Sequence, residues 1–390
     1  MPAEKPIYLD YNATTPCDPR VVEKMLPYFS EIYGNPSNGF HRQGRLAAQA
    51  VITAREQVSS LIGAEPHEIV FTSGATESNN QAILGLAHLH KNNPKNNPRK
   101  RIVSSKIEHK AILNPLKKLS DEGFEIILLD VDSQGVVSVE QAKEFIDEKT
   151  LLVSIHLANN EIGTIQPIQA ITEIAHHHGA LVHSDAAQAV GKIPVDVQEL
   201  GVDLLSMSAH KLYGPKGIGA LYIRNGIRGV PMEPLLYGGG QEKGFRSGTT
   251  NVPGIVGFGE AARISKEVLT EEMIRISSLR DRLEELLLHD IPDLIINANK
   301  AKRLPNTSSL TFPGVDADAL LLNLPDVMMG TGSACTSGAI EPSHVLQAIG
   351  LSREVASCTV RVSLGRFTND FDILGSSTQI VSTWNTLYDK

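Results

Sequence analysis

The chain has 390 residues with 36 basic and 44 acidic side chains, a formal charge of −8, and 41% of its residues are hydrophobic. This composition is typical of a globular protein that buries its own core, and it excludes a disordered chain, a collagen-like fibre and a small disulfide-stabilised module. The acidic balance provides no overall basic field for nucleic acid.

Three cysteines in 390 residues cannot form a disulfide framework, and no Cys-X-X-Cys pair suggests zinc. We therefore predict no metal site and a reducing compartment. The N-terminal residues contain neither an apolar signal segment nor an Arg-rich transit segment, and no apolar run reaches the ~20 residues of a membrane helix. A cytoplasmic protein without a membrane partner is the expectation, and an imported protein whose presequence has been removed is the alternative.

The predicted elements alternate between helix and strand from about residue 40 to residue 225. Apolar residues three and four apart predict a helix over residues 47–61, which Gly63 ends. Residues 68–73 form a short β-rich run, and a helix is predicted over residues 76–91. Further apolar runs typical of buried strands occupy residues 101–105, 124–131, 151–157, 180–184, 204–208 and 218–224. This alternation predicts a mainly parallel sheet with helices on both faces, mixed where the last two runs meet.

The pattern changes after Gly254. A long helix is predicted over residues 256–289, followed by strands at 310–313 and 359–367. The expected fold class is therefore α/β, with a large domain built on the mostly parallel central sheet and a smaller α+β domain. We expect the large domain to span residues 15–259, and the small domain to comprise residues 1–14 and 260–390.

A lysine directly follows the predicted strand at residues 204–208. Lys211 lies with Ser208 and His210 in a loop that contains glycine and proline. A lysine at a strand end is usually solvated, but a lysine desolvated among polar neighbours is the kind that forms imines. Position alone leaves both interpretations open.

Three further polar groups follow predicted strands. Asp185 ends one strand, His109 follows another, and Thr76 lies where a strand turns into a helix. A helix cap, a surface histidine and an ordinary capped turn are the simpler interpretations. However, ligands of open α/β sheets bind beyond the carboxyl ends of the strands. Together with Lys211, these groups match the needs of pyridoxal phosphate: a lysine, a carboxylate facing the pyridinium nitrogen, phosphate donors and a flat group against the ring.

Other side chains can complete such a site. Gln188 follows Asp185 by three residues and would reach a phenolic oxygen of the cofactor, or merely decorate a helical turn. Asn160 could donate its amide to cofactor or substrate. Arg361 alternates with apolar neighbours on its strand, which fits a solvated strand face or a bidentate clamp on a substrate carboxylate.

Cys335 is the most distinctive feature of the sequence. Its neighbours over residues 330–338 are small, unlike those of a buried structural cysteine. We expect a mobile loop at about residues 328–342 that carries Cys335 as a thiolate nucleophile. Cys358, next to a predicted strand, is interpreted as a packing cysteine, and Cys17 as a turn residue.

The chain resembles the pyridoxal-phosphate-dependent cysteine desulfurases of the class V aminotransferase superfamily, which have fold type I. The resemblance covers nearly the whole chain, and the lysine segment together with GSACTSG is specific to desulfurases. The matching segments are YLDYNATTP (8–16), GNPS (34–37), FTSGATESNN (71–80), SKIEHKA (105–111), NNEIGTIQPI (159–168), HSDAAQAVGKIPVD (183–196), SMSAHKLYGPKGIGALYIR (206–224), GGGQEKGFRSGT (238–249), GSACTSG (332–338) and VRVSLGRF (360–367).

The resemblance implies a role for each candidate residue. Cys335, Lys211 and His109 would be catalytic, with Lys211 carrying the cofactor and His109 stacked on its ring. Substrate carboxylate binding would fall to Asn160 and Arg361. Thr249 would reach the phosphate of a second copy, which implies a homodimer with shared sites. The implied cofactor-binding set is Lys211, Ala75, Thr76, His109, Asn160, Asp185, Gln188, Ser208, His210 and Thr249.

The implied reaction converts L-cysteine to L-alanine and leaves a persulfide on Cys335. An acceptor protein, either an iron–sulfur scaffold or a thio-carrier, would then receive the sulfur for clusters and other thio-cofactors. Three alternatives stay open: a selenocysteine lyase, another class V aminotransferase-type enzyme, and a non-catalytic adaptor of the same fold. A loop thiol at Cys335 disfavours the second, and an intact Lys211, Asp185 and Cys335 disfavour the third.

Overall fold

The structure, a computed structural model, describes residues 6–92, 99–331 and 343–388. The predicted loop around Cys335 lies mostly outside these residues. The strands are β1 (Ile7–Tyr8), β2 (Ile69–Thr72), β3 (Arg101–Ser105), β4 (Glu125–Leu129), β5 (Thr150–Ser154), β6 (Leu181–Asp185), β7 (Leu204–Ser208), β8 (Gly219–Ile223), β9 (Ile295–Asn297), β10 (Thr307–Thr311), β11 (Val327–Met328) and β12 (Thr359–Ser363).

Much of the remaining described chain is helical. They are α1 (Pro19–Met25), α2 (Pro27–Ser30), α3 (Arg42–Leu61), α4 (Ala75–Asn80), α5 (Leu86–Asn92), α6 (Lys110–Asp121), α7 (Val139–Phe145), α8 (Ile168–His177), α9 (Val197–Leu200), α10 (Val252–Asp290), α11 (Ala317–Leu322), α12 (His344–Ala348), α13 (Arg353–Ser357) and α14 (Asp370–Tyr388). In the part of the chain that is described, no helix is both long and apolar enough to cross a membrane.

A seven-stranded sheet forms the centre of the fold, in the order β2-β8-β7-β6-β5-β3-β4. β8 runs antiparallel to both of its neighbours, and the other pairs are parallel. β5, β7 and β8 are buried along their whole length, as strands covered on both faces must be. The mostly parallel sheet, flanked by helices and mixed at β8, is thus confirmed.

A separate antiparallel sheet has the order β12-β10-β9. Its apolar face packs with α14 around Leu310, Phe312 and Trp384. The N-terminal strand β1 pairs in parallel with β11, and Asp10 bridges to Ser363 on β12. The N-terminal segment therefore reaches elements more than 300 residues away along the chain.

Helix α10 belongs to both apolar cores. Pro253 lies in its first turn and the Asn251 side chain caps it by accepting from the Gly254 N–H at 3.1 Å, so the helix begins sharply. Phe258 packs in the core of the central sheet, whereas Leu283 packs in the core of the small sheet. Because α10 runs between the two cores without a break, the domain limits at residues 15 and 260 stay predictions.

Three of the differences from expectation have a clear origin in the sequence. The helix predicted over residues 76–91 consists of α4, a π-helical turn at Gln81–Gly85 and α5. The strand predicted at 310–313 begins at Thr307: the Thr and Ser side chains of β10 are buried, with Ser308 donating to Glu284 on α10 and Thr311 hydrogen-bonded to Thr359 on β12. α14 is not predicted at all, since its sequence mixes Ser, Thr and Gly with its apolar residues.

Candidate active site

The carboxyl ends of five strands meet at one edge of the central sheet. β3, β5, β6 and β7 are parallel, and β2 points the same way because β8 is antiparallel to both β2 and β7. The predicted site residues follow these ends, so the structure brings them to a common edge. They are Ala75 and Thr76 after β2, His109 after β3, Asn160 after β5, Asp185 and Gln188 at and after β6, and Ser208, His210 and Lys211 at and after β7.

Asp185 is the last residue of β6 and is 8% exposed. Its Oδ2 accepts a hydrogen bond from Asn79 Nδ2 at 2.7 Å, and its Oδ1 accepts from the Ala187 N–H at 2.9 Å. Both donors are neutral, and within the described chain no Lys, Arg or His forms an ion pair with this carboxylate. A buried carboxylate of this kind suits a protonated ring nitrogen.

Lys211 ends a 3₁₀ turn that follows β7 directly. Its Nζ donates to the backbone carbonyls of Asn12 at 2.5 Å and Ala13 at 2.7 Å. The turn is itself attached to the N-terminal segment, because Thr15 N–H donates to the His210 carbonyl at 3.0 Å. The Lys211 amine is thus held at the sheet edge by a segment that the sequence pattern did not place there.

The two site histidines are disposed to be neutral. Burial and the nearby Lys211 lower the pKa of His210 to about 4, and its Nδ1 lies 3.1 Å from Thr14 Oγ1. His109 caps α6 by accepting the Ala111 N–H at Nδ1, which leaves the ring proton on Nε2. Desolvation by the groups around His109 lowers its pKa, although the residue as a whole is exposed. A neutral, exposed imidazole is suited to stacking.

A buried ion pair fixes the segment before His109. Glu108 accepts hydrogen bonds from Ser105 Oγ at 2.6 Å and from the His156 N–H at 3.1 Å, and His156 Nδ1 lies 3.2 Å from its carboxylate. Although burial acts to lower it, the Glu108 charge raises the pKa of His156. This pair joins the ends of β3 and β5, and it explains why His109 has a defined position.

The first turn of α4 has hydrogen-bond donors suited to an anion. Gly74 precedes the helix with φ of +155°, a conformation that favours glycine, and no side chain caps the first turn. A Cβ at Gly74 would lie 3.8 Å from Ser208 Oγ, so the Ser208 hydroxyl faces this turn. The uncapped N–H groups near Ala75 and Thr76 and the Ser208 hydroxyl form a donor set suited to phosphate.

Asn12 is a contact point that sequence reasoning missed. Its Oδ1 accepts from Lys192 Nζ at 2.8 Å, and its carbonyl accepts from Gln188 Nε2 at 2.9 Å. Its Nδ2 donates to the Asn160 carbonyl at 3.1 Å and to Thr307 Oγ1 at 2.9 Å. Asn12 lies in the segment 8–16 that carries the resemblance, which is the only signal the sequence offered.

Arg361 is buried rather than solvated. Its guanidinium donates to Asp10 Oδ1 at 2.6 Å and to the Asn160 carbonyl at 3.3 Å, while its Nε is buried without a hydrogen-bond partner in the described structure. An unsatisfied N–H beside a charged fork is suited to an incoming carboxylate.

Glu161, beside Asn160, was also missed by sequence reasoning. Ser343 Oγ donates to its Oε2 at 2.5 Å and caps α12 through the Val345 N–H. Burial raises the pKa of Glu161 to about 7, despite the opposing charges of Arg361 and Lys110.

This carboxyl predicts a pH-dependent stability. Between about pH 4.5 and pH 7 the unfolded chain loses the Glu161 proton while the folded chain keeps it, so this group destabilises the fold increasingly as pH rises and fully above pH 7. We expect Glu161→Gln to raise Tm relative to wild type by at least ~2 °C more at pH 8 than at pH 5. Calorimetry of the apoprotein measures this, with the exposed Glu144→Gln on α7 as control. An equal offset at both pH values would contradict the assignment.

Two predicted residues are not placed in this site. Cys335 lies outside the described residues. Thr249 is exposed on the loop before α10. Burial raises the pKa values of Cys17 and Cys358, which disfavours either thiol as a nucleophile.

The fold and this edge define a class of α/β protein in which a lysine and a buried carboxylate follow parallel strands at one edge of the central sheet. The model of the family described as Aminotransferase class-V matches residues 7–374. "Cysteine desulfurase IscS" of Aeromonas hydrophila subsp. hydrophila is 50% identical over 370 residues, covering 94% of this chain and 90% of the relative.

Solved structures are similar to this chain over nearly its whole length. A "NIFS-LIKE PROTEIN" superposes with a TM-score of 0.90 at 40% identity, covering 98% of this chain and all of the other. A structure described as "SspA in complex with cysteine" gives a TM-score of 0.81 at 39% identity, covering 92% and 98%. The chain belongs to the class V aminotransferase family, whose members are pyridoxal-phosphate enzymes.

Proposed function

We propose that this protein is a cysteine desulfurase, which converts L-cysteine to L-alanine and retains the sulfur as a persulfide on Cys335. The observation that carries the proposal is the buried Asp185 carboxylate, hydrogen-bonded by neutral donors only, on the same sheet edge as Lys211. The relatives named as cysteine desulfurases, which match nearly the whole chain, support this reaction over others of the family.

The residues fit pyridoxal phosphate as cofactor. Asp185 would pair with the pyridinium nitrogen, Lys211 would hold the cofactor covalently, and His109 would cover the ring. The remaining predicted contacts are the phosphate donors Ala75, Thr76, Ser208 and His210, the amides of Gln188 and Asn160, and Thr249 from a second copy. When bound, the cofactor withdraws electrons from the substrate α-carbon.

The chain's own residues supply the remaining chemistry. Arg361, with the neighbouring Asn160, binds the substrate carboxylate, and the Lys211 amine takes the proton from Cα and returns one to form alanine. The Cys335 thiolate attacks the substrate sulfur, so that an S–S bond forms as the C–S bond breaks. The electron pair of the C–S bond goes to Cβ, which takes a proton from solvent and becomes the methyl group of alanine. We further propose a cytoplasmic homodimer that passes the persulfide sulfur to an acceptor protein, such as an iron–sulfur scaffold or a thio-carrier.

The test is product formation by the purified protein reconstituted with pyridoxal phosphate. With L-cysteine and a thiol reductant, we expect equal amounts of alanine and sulfide. L-Selenocysteine, supplied in parallel, separates the alternative of a selenocysteine lyase, which would form alanine from selenocysteine only. No alanine from cysteine, measured on protein with bound cofactor, would contradict a desulfurase.

The substrate clamp gives a further prediction. We expect Arg361→Lys to raise KM for L-cysteine about 10- to 100-fold, the equivalent of one charge-assisted hydrogen bond. Lysine keeps the positive charge but loses the planar fork that contacts Asp10 and Asn160. Steady-state kinetics with L-cysteine measure the change. A fall in kcat with unchanged KM would place Arg361 elsewhere in the reaction.

A further inference from the structure

Lys192 is a second lysine beside the site, and the mechanism above does not use it. It lies four residues after Gln188, on the turn that follows β6, and is partly buried. Its Nζ donates to Gln188 Oε1 at 2.6 Å and to Asn12 Oδ1 at 2.8 Å. Both acceptors are neutral. The charged side chains that act on the Lys192 amine are two further cations, Lys211 and Arg361.

An ammonium group with such neighbours is costly to bury. Burial, Lys211 and Arg361 together lower the pKa of Lys192 well below its usual value. A methionine of similar length would avoid this cost, so the stability of the fold does not by itself account for a lysine at this position. Its two hydrogen bonds point to a different use.

The Lys192 Nζ donates both of its hydrogen bonds, and it carries enough N–H groups to do so whether or not it is charged. Lys192 therefore requires that the oxygen of Gln188, and not its NH₂ group, face the lysine. The NH₂ group of Gln188 must then point away from Lys192. One of its N–H groups donates to the Asn12 carbonyl at 2.9 Å. The second N–H of Gln188 is left to donate. If the Gln188 amide were rotated by 180°, its Oε1 would face the Asn12 carbonyl oxygen. The second N–H of Gln188 would then no longer be available as a donor.

The same ammonium also fixes the amide of Asn12. Because Oδ1 of Asn12 faces Lys192 and Asn306 Nδ2, its Nδ2 must donate to the Asn160 carbonyl and Thr307. The carbonyl of Asn12 is the group that accepts Lys211 Nζ at 2.5 Å. The amine of Lys192 thus sets the direction of two amides, those of Gln188 and Asn12. Both amides contact groups of the proposed cofactor site.

We propose that Lys192 is a positioning residue, which orients the Gln188 amide so that its N–H is presented to the phenolic oxygen of the bound cofactor. This inference rests on the proposed function only in taking pyridoxal phosphate as the cofactor. It assigns Lys192 no contact with substrate.

The test is the binding of pyridoxal phosphate to apoprotein, followed by absorbance and fluorescence. We expect Lys192→Met to weaken binding about 10-fold, as for one lost hydrogen bond to a polarised oxygen, and to shift the visible absorption band of the bound cofactor. Lys216→Met, which removes an exposed lysine from the Lys211 loop, is the matched control with unchanged binding. The Tm of apo Lys192→Met should stay within ~3 °C of wild type. A fall in Tm with unaltered binding and spectrum would show a structural role and overturn the proposal.

A double-mutant cycle tests the route through Gln188. Gln188→Met alone should weaken binding, and adding Lys192→Met should weaken it less than twofold further. Additive losses would mean that Lys192 acts independently of the amide, contrary to the proposal.

If Lys192→Met does not fold, Gln188→Glu gives a separate test. A carboxylate would pair with Lys192 and raise Tm but offer no N–H, so binding should weaken. Binding as tight as wild type would overturn the inference. Wild-type apoprotein that fails to bind pyridoxal phosphate would instead contradict the proposed function, so the two failures are distinguishable.

Discussion

Replacing Lys211 with alanine is expected to reduce alanine formation from L-cysteine by at least ~10³-fold, because the variant lacks the amine that moves the Cα proton. Lys216→Ala is the matched control: it removes an exposed lysine five residues away in the same loop and should retain wild-type turnover. Circular dichroism of both apoproteins checks that the fold is intact.

The same variant tests how the cofactor is held. After borohydride reduction, mass spectrometry should find the cofactor's mass on the peptide that contains Lys211 in wild type, and on no peptide of Lys211→Ala. Label at Lys192 instead would reassign the two lysines. If Lys211→Ala supported cellular sulfur transfer as well as wild type, the protein would be an adaptor, not an enzyme.

Replacing Cys335 with serine should leave cofactor colour and affinity unchanged and reduce sulfur transfer by at least ~10³-fold, the order typical of a removed nucleophile. Cys17→Ser and Cys358→Ser are the matched controls. Both of these thiols are partly buried and have raised pKa values, so both variants should keep full activity per folded molecule.

The measurement is single-turnover formation of alanine and of protein-bound persulfide, detected by the mass increase of one sulfur atom on the peptide that contains Cys335. Undiminished alanine and sulfide release by Cys335→Ser would contradict the role of this thiol. Persulfide on Cys358 instead would make Cys358 the nucleophile, although the sequence predicts that this residue only packs in the fold.

The sequence was sufficient for the central sheet and for the residues at its carboxyl edge. Buried parallel strands are continuous apolar runs, and a polar residue at their ends is conspicuous, as Asp185 and Ser208 are. β10 was misplaced because its first residues are Thr and Ser, whose side chains are buried through hydrogen bonds to Glu284 and Thr359, which hydrophobic periodicity cannot detect.

The site residues that could not be predicted from the sequence share one physical property. Asn12, Lys192 and Glu161 take their importance from contacts across long sequence separations, such as Asn12 with Thr307 and Glu161 with Ser343. Their residue types are ordinary for surface loops, so nothing local distinguishes them. Only the folded arrangement shows that a polar segment near the N-terminus lies against Lys211.

That arrangement determines the stage of synthesis at which the chain can bind its cofactor. Asn12 receives Lys211 on one side, whereas Thr307 and Ser363 hold it from the other. During synthesis the central sheet through β8 emerges long before residue 363, yet its lysine lacks this support until the last strand has left the ribosome. We expect chains truncated before β12 to form the central sheet without taking up pyridoxal phosphate, so that loading of the cofactor marks a completed chain.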